Sequence, residues 1–136
     1  MAHDPALLRI LDANFNRAKE GLRVCEDICR YVWDAKALTS SLKDLRHALT
    51  EAVKPVGLLD ALASRDIQGD VGRATTASEA KRQDIPAVFW ANAQRVKESL
   101  RVLEEITKLL NVKSADHIKQ LRYRFYALEQ KSLKYR

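Results

Sequence analysis

Glycine and proline are scarce in this chain, four and three among 136 residues. That scarcity excludes a sandwich or a barrel, whose many turns need those residues, and alanine and leucine are plentiful in their place. Cysteine is nearly absent. Cys25 and Cys29 lie one helical turn apart, so no disulfide framework spans the fold, and both read as core thiols. No apolar run approaches the length of about eighteen residues that marks a membrane span. The opening MAHDPALLRI lacks a charged-then-apolar leader, so no signal peptide is expected. These absences point to a reduced, cytoplasmic, helical chain forming one domain over 1–136, long enough to bury a core without staples.

Runs of one charge are missing too. The net charge of +6 admits nucleic acid, an acidic membrane or a phosphorylated small molecule as partner. The cations alternate with carboxylates along helices and form no continuous basic face, which argues against a membrane and against nucleic acid. The C-terminal RYRFYALEQKSLKYR mixes aromatics with cations, but at helical spacing Phe125 and Leu128 read as core. The histidines are scattered without zinc spacing. Neither GxxxxGK[ST] nor the protein-kinase signature strings occur.

What is present is a repeat. Residues 13–32 (ANFNRAKEGLRVCEDICRYV) align with 91–110 (ANAQRVKESLRVLEEITKLL) at a constant offset of 78, and ten of the twenty pairs are identical. The motif Lys43-Asp44-Leu45-Arg46 returns as Lys119-Gln120-Leu121-Arg122 at an offset of 76. The duplicated unit is therefore a helical hairpin. The expected fold is all-α, a four-helix array of two pseudo-symmetric hairpins joined by a long polar loop. Repeat one covers about 5–53, linker and loop 54–84, and repeat two about 85–134. Asp4-Pro5 opens a helix running to about Asp34, on a stripe of Leu7, Ile10, Leu11, Ala18, Gly21, Leu22, Cys25, Ile28 and Val32. A second helix spans about 37–53 through Leu38, Leu42, Leu45 and Leu49, stopping at Pro55. Asp84 opens a third to about Leu110, and Ser114 caps a fourth.

A duplicated core needs only its apolar residues, because any solvated charge serves on a wet surface. Kept identity at Asn14/Asn92, Arg17/Arg95, Glu20/Glu98, Arg23/Arg101 and Glu26/Glu104 therefore points to a shared polar task. Asn14 and Asn92 fall inside the apolar stripes, where an amide needs a partner. Two readings stand: the asparagines meet across the pseudo-axis and set register, or they serve a ligand or a metal shell. Arg17, Glu20 and Asp27 share one helix edge, as do Arg95, Glu98 and Glu105. Carboxylates there suit Mg²⁺ and arginines suit phosphate, while local salt bridging explains the same spacing. The unrepeated loop SRDIQGDVGRATT holds Arg65, Asp66, Asp70 and Arg73 among glycines. It reads either as a phosphate and Mg²⁺ cradle or as a solvated connection.

The strings ANFNRAKEGLRVCED, KDLRHAL, ASRDIQGDVG and ANAQRVKESLRVLEE together resemble a helical domain found alone or fused in front of thiamine-phosphate synthase. That domain is regarded as an alternative hydroxymethylpyrimidine-phosphate kinase. The likeness covers about residues 7–128, and the chain is too short to include the synthase's barrel. It implies ATP- and Mg²⁺-dependent phosphorylation of hydroxymethylpyrimidine phosphate to the diphosphate, in thiamine synthesis. On that reading Arg17, Arg95, Arg65 and Arg73 clamp phosphates. Glu20, Glu98, Asp66 and Asp70 hold Mg²⁺, directly or through water, and Asn14 and Asn92 hydrogen-bond substrate or metal water. Arg65, Asp66 and Asp70 form the catalytic group, with the loop 64–76 closing over the repeated helices near Arg17 or Arg95. Two alternatives stand beside it: a Mg²⁺-dependent nucleotide or diphosphate hydrolase, and a non-catalytic module binding a thiamine-pathway enzyme such as thiamine-phosphate synthase. A second chain could complete the other half-site, which leaves a homodimer open.

Overall fold

The computed structural model describes residues 3–77 and 79–135; Ser78 of the expected loop and the extreme termini lie outside them. The described residues are all-helical, with no strand. Helix α1 spans Pro5–Asp27, α2 Lys36–Val53, α3 Leu58–Ala63, α4 Ile85–Thr107 and α5 Val112–Lys131. The Asp4 side chain accepts from the Ala6 amide at 2.9 Å and Asp84 from Ala87 at 2.9 Å, each followed within two residues by a proline that has no N–H to lose. The fourth long helix is capped differently from expectation. Asn111, not Ser114, is its N-cap, and it accepts from the Ser114 amide at 3.1 Å. Accordingly α4 ends at Thr107, three residues before Leu110.

The first helix also departs from its expected course. After Asp27 the backbone winds one π-helical turn, Ile28–Val32, in which the Trp33 amide donates to the Ile28 carbonyl at 3.1 Å. The wider turn rotates the side chains that follow, so Val32 leaves the stripe and is 51% exposed. Asp34 then takes a left-handed φ of 49°, a conformation that Asp tolerates better than most residues, and the chain reverses into α2. Trp33 secures this corner. Its ring lies 4.9 Å from Phe89 at the start of α4 and stacks at 5.5 Å on Tyr135.

Helix α1 packs most extensively on α4 and is flanked by α2 and α3, while α5 packs on both α4 and α2 and closes a ring of four long helices. The core of α1 is Leu8, Leu11, Phe15, Ala18, Leu22 and Cys25; Ile10, expected within it, faces outward. The α2 contribution is Leu38, Leu42, Leu45 and Leu49, as its spacing predicts. At Gly21 the two repeated helices approach so closely that a Cβ would sit 2.8 Å from Val96 Cγ2 and 3.1 Å from the Asn92 carbonyl. A hydrogen atom is all that fits. The thiols lie in this core, and burial, aided by the Glu26 charge, pushes Cys29 up to about 11.

The same kind of ion pair ties α1 to α2 and α4 to α5. Arg46 Nε on α2 donates to Glu26 Oε1 on α1 at 3.0 Å, and Arg122 Nε on α5 donates to Glu104 Oε1 on α4 at 3.1 Å. Arg23 approaches Glu26 at 3.6 Å and Arg101 approaches Glu104 at 3.7 Å. The shared polar task at these repeated positions is structural. Because both carboxylates are buried, deleting one leaves an arginine without its counter-charge. Glu104→Ala is expected to cost about 3 kcal/mol or more in a urea unfolding titration; a loss under about 0.5 kcal/mol, the range of an ordinary surface change, contradicts the clamp.

Candidate functional site

The N-terminal half of α1 and the loop after α3 enclose a cavity of about 600 Å³. Its floor comes from α1, where Arg9, Asp12, Asn14, Asn16 and Arg17 recur on adjoining turns. Its wall comes from the loop, through Arg65, Asp66, Asp70 and Arg73. The loop is drawn there by charge. Arg65 forks onto Asp12, with Nε to Oδ2 at 2.7 Å and Nη2 to Oδ1 at 2.8 Å. Asp12 is a buried carboxylate, so this bidentate pair joins charge neutralisation to fixed geometry. The Asp12 hydrogen bonds, with the charges of Asp12 and Glu20, raise the Arg65 guanidinium above its ordinary pKa against the lowering effect of desolvation. Asn16 Nδ2 also donates to Asp12 Oδ1, at 3.1 Å.

The loop carboxylates are set by their own turns. Asp66 Oδ1 accepts from the Gly69 amide at 2.8 Å, and Asp70 Oδ1 accepts from the Gly72 amide at 3.0 Å. A Cβ at Gly69 would meet the Asp66 carboxylate, which would have to shift from its place on the Gly69 amide. Each Asp is held by one oxygen in a Gly-punctuated turn at the cavity's rim.

Of the residues singled out from sequence, Asn14, Arg17, Arg65, Asp66, Asp70 and Arg73 line this one cavity. Arg17 Nη1 donates to Asn14 Oδ1 at 2.9 Å, while Asn14 Nδ2 donates to the Ile10 carbonyl at 2.9 Å. Glu20 does not line it, though its charge reaches Arg65. Asn92, Arg95 and Glu98 are not brought to it. Asn92 Nδ2 donates to the Val88 carbonyl at 2.9 Å, and Glu98 accepts from Gln94 at 3.3 Å in a separate shallow depression. The asparagines do not meet: each serves its own helix. The loop thus stands beside Arg17 and not Arg95. Sequence reading missed Asp12, Asn16 and Arg9. Asp12 has no copy in repeat two, where Trp90 occupies the matching position, so a comparison of copies passes over it. The available signal was an acid set among Leu8, Leu11 and Phe15.

Chemically, the cavity offers arginines that grip phosphate oxygens and aspartates that take a hard cation through oxygen. Among the described residues no three His, Cys, Asp or Glu side chains converge as a metal site. Such a place suits a phosphorylated small molecule that brings its own Mg²⁺. The match to the ThiD2 family spans residues 9–131, and the chain belongs to that family. It is 48% identical over 129 residues to a protein of Synechocystis sp. named thiamine-phosphate synthase, covering 94% of this chain and 36% of that one. Proteins of the same name from Rhodopirellula baltica and Thermosynechococcus vestitus are 42% and 43% identical, over 93% and 91% of this chain and 34% of each of theirs. The chain thus spans about a third of the length of these relatives. No solved structure matches it. Among the described residues no helix is long and apolar enough to cross a membrane.

If the Asp12 fork holds the loop, Arg65→Ala should release it. Hydrogen–deuterium exchange across 64–76 is expected to rise at least tenfold while the four long helices keep their protection. Unchanged exchange in the loop would remove Arg65 as its anchor.

Proposed function

We propose that this chain works in thiamine synthesis as an ATP- and Mg²⁺-dependent kinase that converts hydroxymethylpyrimidine phosphate to its diphosphate. The observation that carries the reading is the cavity in which Arg9, Arg17 and Arg73 face Asp66 and Asp70. Family membership and the relatives' printed name support the pathway. The cavity volume falls within the usual range for small-molecule sites.

The step needs position and charge neutralisation more than a special nucleophile. A phosphate oxygen of the acceptor forms the new P–O bond to the γ-phosphorus, the bond from that phosphorus to the β–γ bridging oxygen breaks, and ADP leaves. The acceptor's second pKa is about 6, so its oxygen is largely ionised at neutral pH and no strong general base is required. Arg17, steadied by Asn14, and Arg73 hold phosphate oxygens. Asp66 and Asp70 are the carboxylates available to Mg²⁺, which characteristically takes one or two such ligands together with substrate phosphates and water. Arg65 already spends two nitrogens on Asp12, so its part is to position the loop. All these residues belong to one chain. Mg²⁺ when bound supplies charge neutralisation across the phosphates.

Purified protein with ATP, Mg²⁺ and hydroxymethylpyrimidine phosphate is expected to form the diphosphate, followed by ³¹P NMR. Arg17→Ala should lower turnover by about a hundredfold, the scale for loss of one charge-stabilising donor. No diphosphate under varied conditions removes the kinase reading. Phosphate release that does not depend on the acceptor favours the hydrolase instead.

A further inference from the structure

The opposite end of α1 carries a second cavity, of about 520 Å³, between the π turn and the first turns of α2. Its walls bear five cations, Arg23, Arg30, Lys36, Lys43 and Arg46, against two carboxylates, Glu26 and Asp34. The geometry points to a second anion site here, for the di- or triphosphate group of a small molecule. This inference does not rest on the kinase reading.

The charge balance carries the argument. Glu26 is already engaged by Arg46 at 3.0 Å and Arg23 at 3.6 Å. Among the described residues Arg30, Lys36 and Lys43 make no ion pair, and Asp34 makes none either. Lys36, Lys43 and Arg30, the last also lying 4.9 Å over the Tyr31 ring, thus line the cavity with an excess of positive charge. Lys36 is the first residue of α2, whose N-cap, Ala35, offers no side-chain acceptor, so the helix end adds to the same field.

Repeat two serves as an internal control. At offsets of 78 and 76 it carries five of these seven charges, as Arg101, Glu104, Lys108, Lys119 and Arg122, with no counterpart of Asp34 or Lys36. There three of the four cations find partners within the fold, while Lys119, like Lys43, makes no ion pair among the described residues. Lys108 reaches Glu105 at 2.9 Å, Arg101 reaches Glu105 at 3.2 Å, and Arg122 donates to the Tyr126 hydroxyl at 2.7 Å. In repeat one the position of Glu105 is held by Asp27, which makes no ion pair among the described residues, and that of Tyr126 by Thr50. Repeat two leaves one such cation, Lys119, without an ion pair, and repeat one leaves Arg30, Lys36 and Lys43, all three lining one cavity.

The ligand class follows from the lining. The excess of three positive charges matches a di- or triphosphate group, and the cavity is of small-molecule size. None of its lining residues is aromatic, so a base or sugar ring gains little there, and recognition falls on phosphate. From Ala13, beside the loop cavity, to Glu26 is roughly 20 Å along α1 at the helical rise. Phosphoryl transfer cannot bridge that gap, so the two cavities act separately, and this one receives a ligand that does not react with the first.

The test is calorimetric titration of the full chain with inorganic tripolyphosphate at low salt without Mg²⁺, repeated with ATP and with AMP. Wild type is expected to bind tripolyphosphate and ATP with similar affinity and AMP at least tenfold more weakly. Lys36→Glu/Lys43→Glu, at two exposed positions, should remove one binding event, and the milder Lys36→Ala/Lys43→Ala should weaken it about tenfold. Arg73→Glu should leave that event in place and remove only binding at the loop cavity. If the loop cavity takes no phosphate, wild type shows a single event that still disappears in the Lys36/Lys43 variants. An isotherm unchanged in both Lys36/Lys43 variants, with native circular dichroism, overturns the site. So does tighter binding of a single-stranded oligonucleotide than of tripolyphosphate.

Discussion

Among the described residues three carboxylates are buried, Asp12, Glu26 and Glu104, and each is met by an arginine from a different element. A buried charge without a partner costs several kcal/mol, on the order of the whole stability of a small domain, so these pairs constrain how the elements dock. Glu26 with Arg46 sets α1 against α2, and Glu104 with Arg122 sets α4 against α5. Apolar burial supplies the drive to associate, but leucines packed on leucines tolerate sliding. Paired guanidinium and carboxylate groups do not. Gly21 adds the third restraint by letting α1 and α4 approach to contact.

The candidate site is the same rule applied to a loop. Nothing apolar obliges the segment after α3 to lie against α1, since Ile67 and Val71 are largely exposed. Asp12 supplies the reason: its nearest cation is Arg65, and once that fork forms, Asp66, Asp70 and Arg73 follow into place beside Arg17. Repeat two has Trp90 where repeat one has Asp12, and no second loop of this kind, so the duplicated helices end with one such cavity. A repeat in sequence thus yields an asymmetric structure around a single unrepeated acid.

Helix identity was legible because it rests on local signals: the 3.6-residue stripe of α2, and Asp-Pro or Asp-Ile-Pro at the two capped starts. The π turn was not, because nothing between Asp27 and Asp34 breaks a helix, and its cause is tertiary, the seating of Trp33 on Phe89 and Tyr135. Repeated polar identity marked Glu26 and Glu104 as shared between copies, yet could not say that their partners lay on the next helix. The same reasoning grouped Asn92, Arg95 and Glu98 with the site, because equivalence in sequence hides which copy the loop reaches. Asp12 escaped attention for the complementary reason: it is the residue that the copies do not share.

The account depends on phosphate being gripped where the loop meets α1. Backbone ¹H–¹⁵N NMR, titrated with hydroxymethylpyrimidine phosphate and a non-hydrolysable ATP analogue in Mg²⁺, addresses this directly. Saturable shifts should appear at Arg9, Asn14 and Arg17 and across residues 65–73, apart from those that the ATP analogue causes around Lys36 and Lys43, with α5 unmoved. Saturable shifts confined to other surfaces, or none at millimolar ligand, would contradict it.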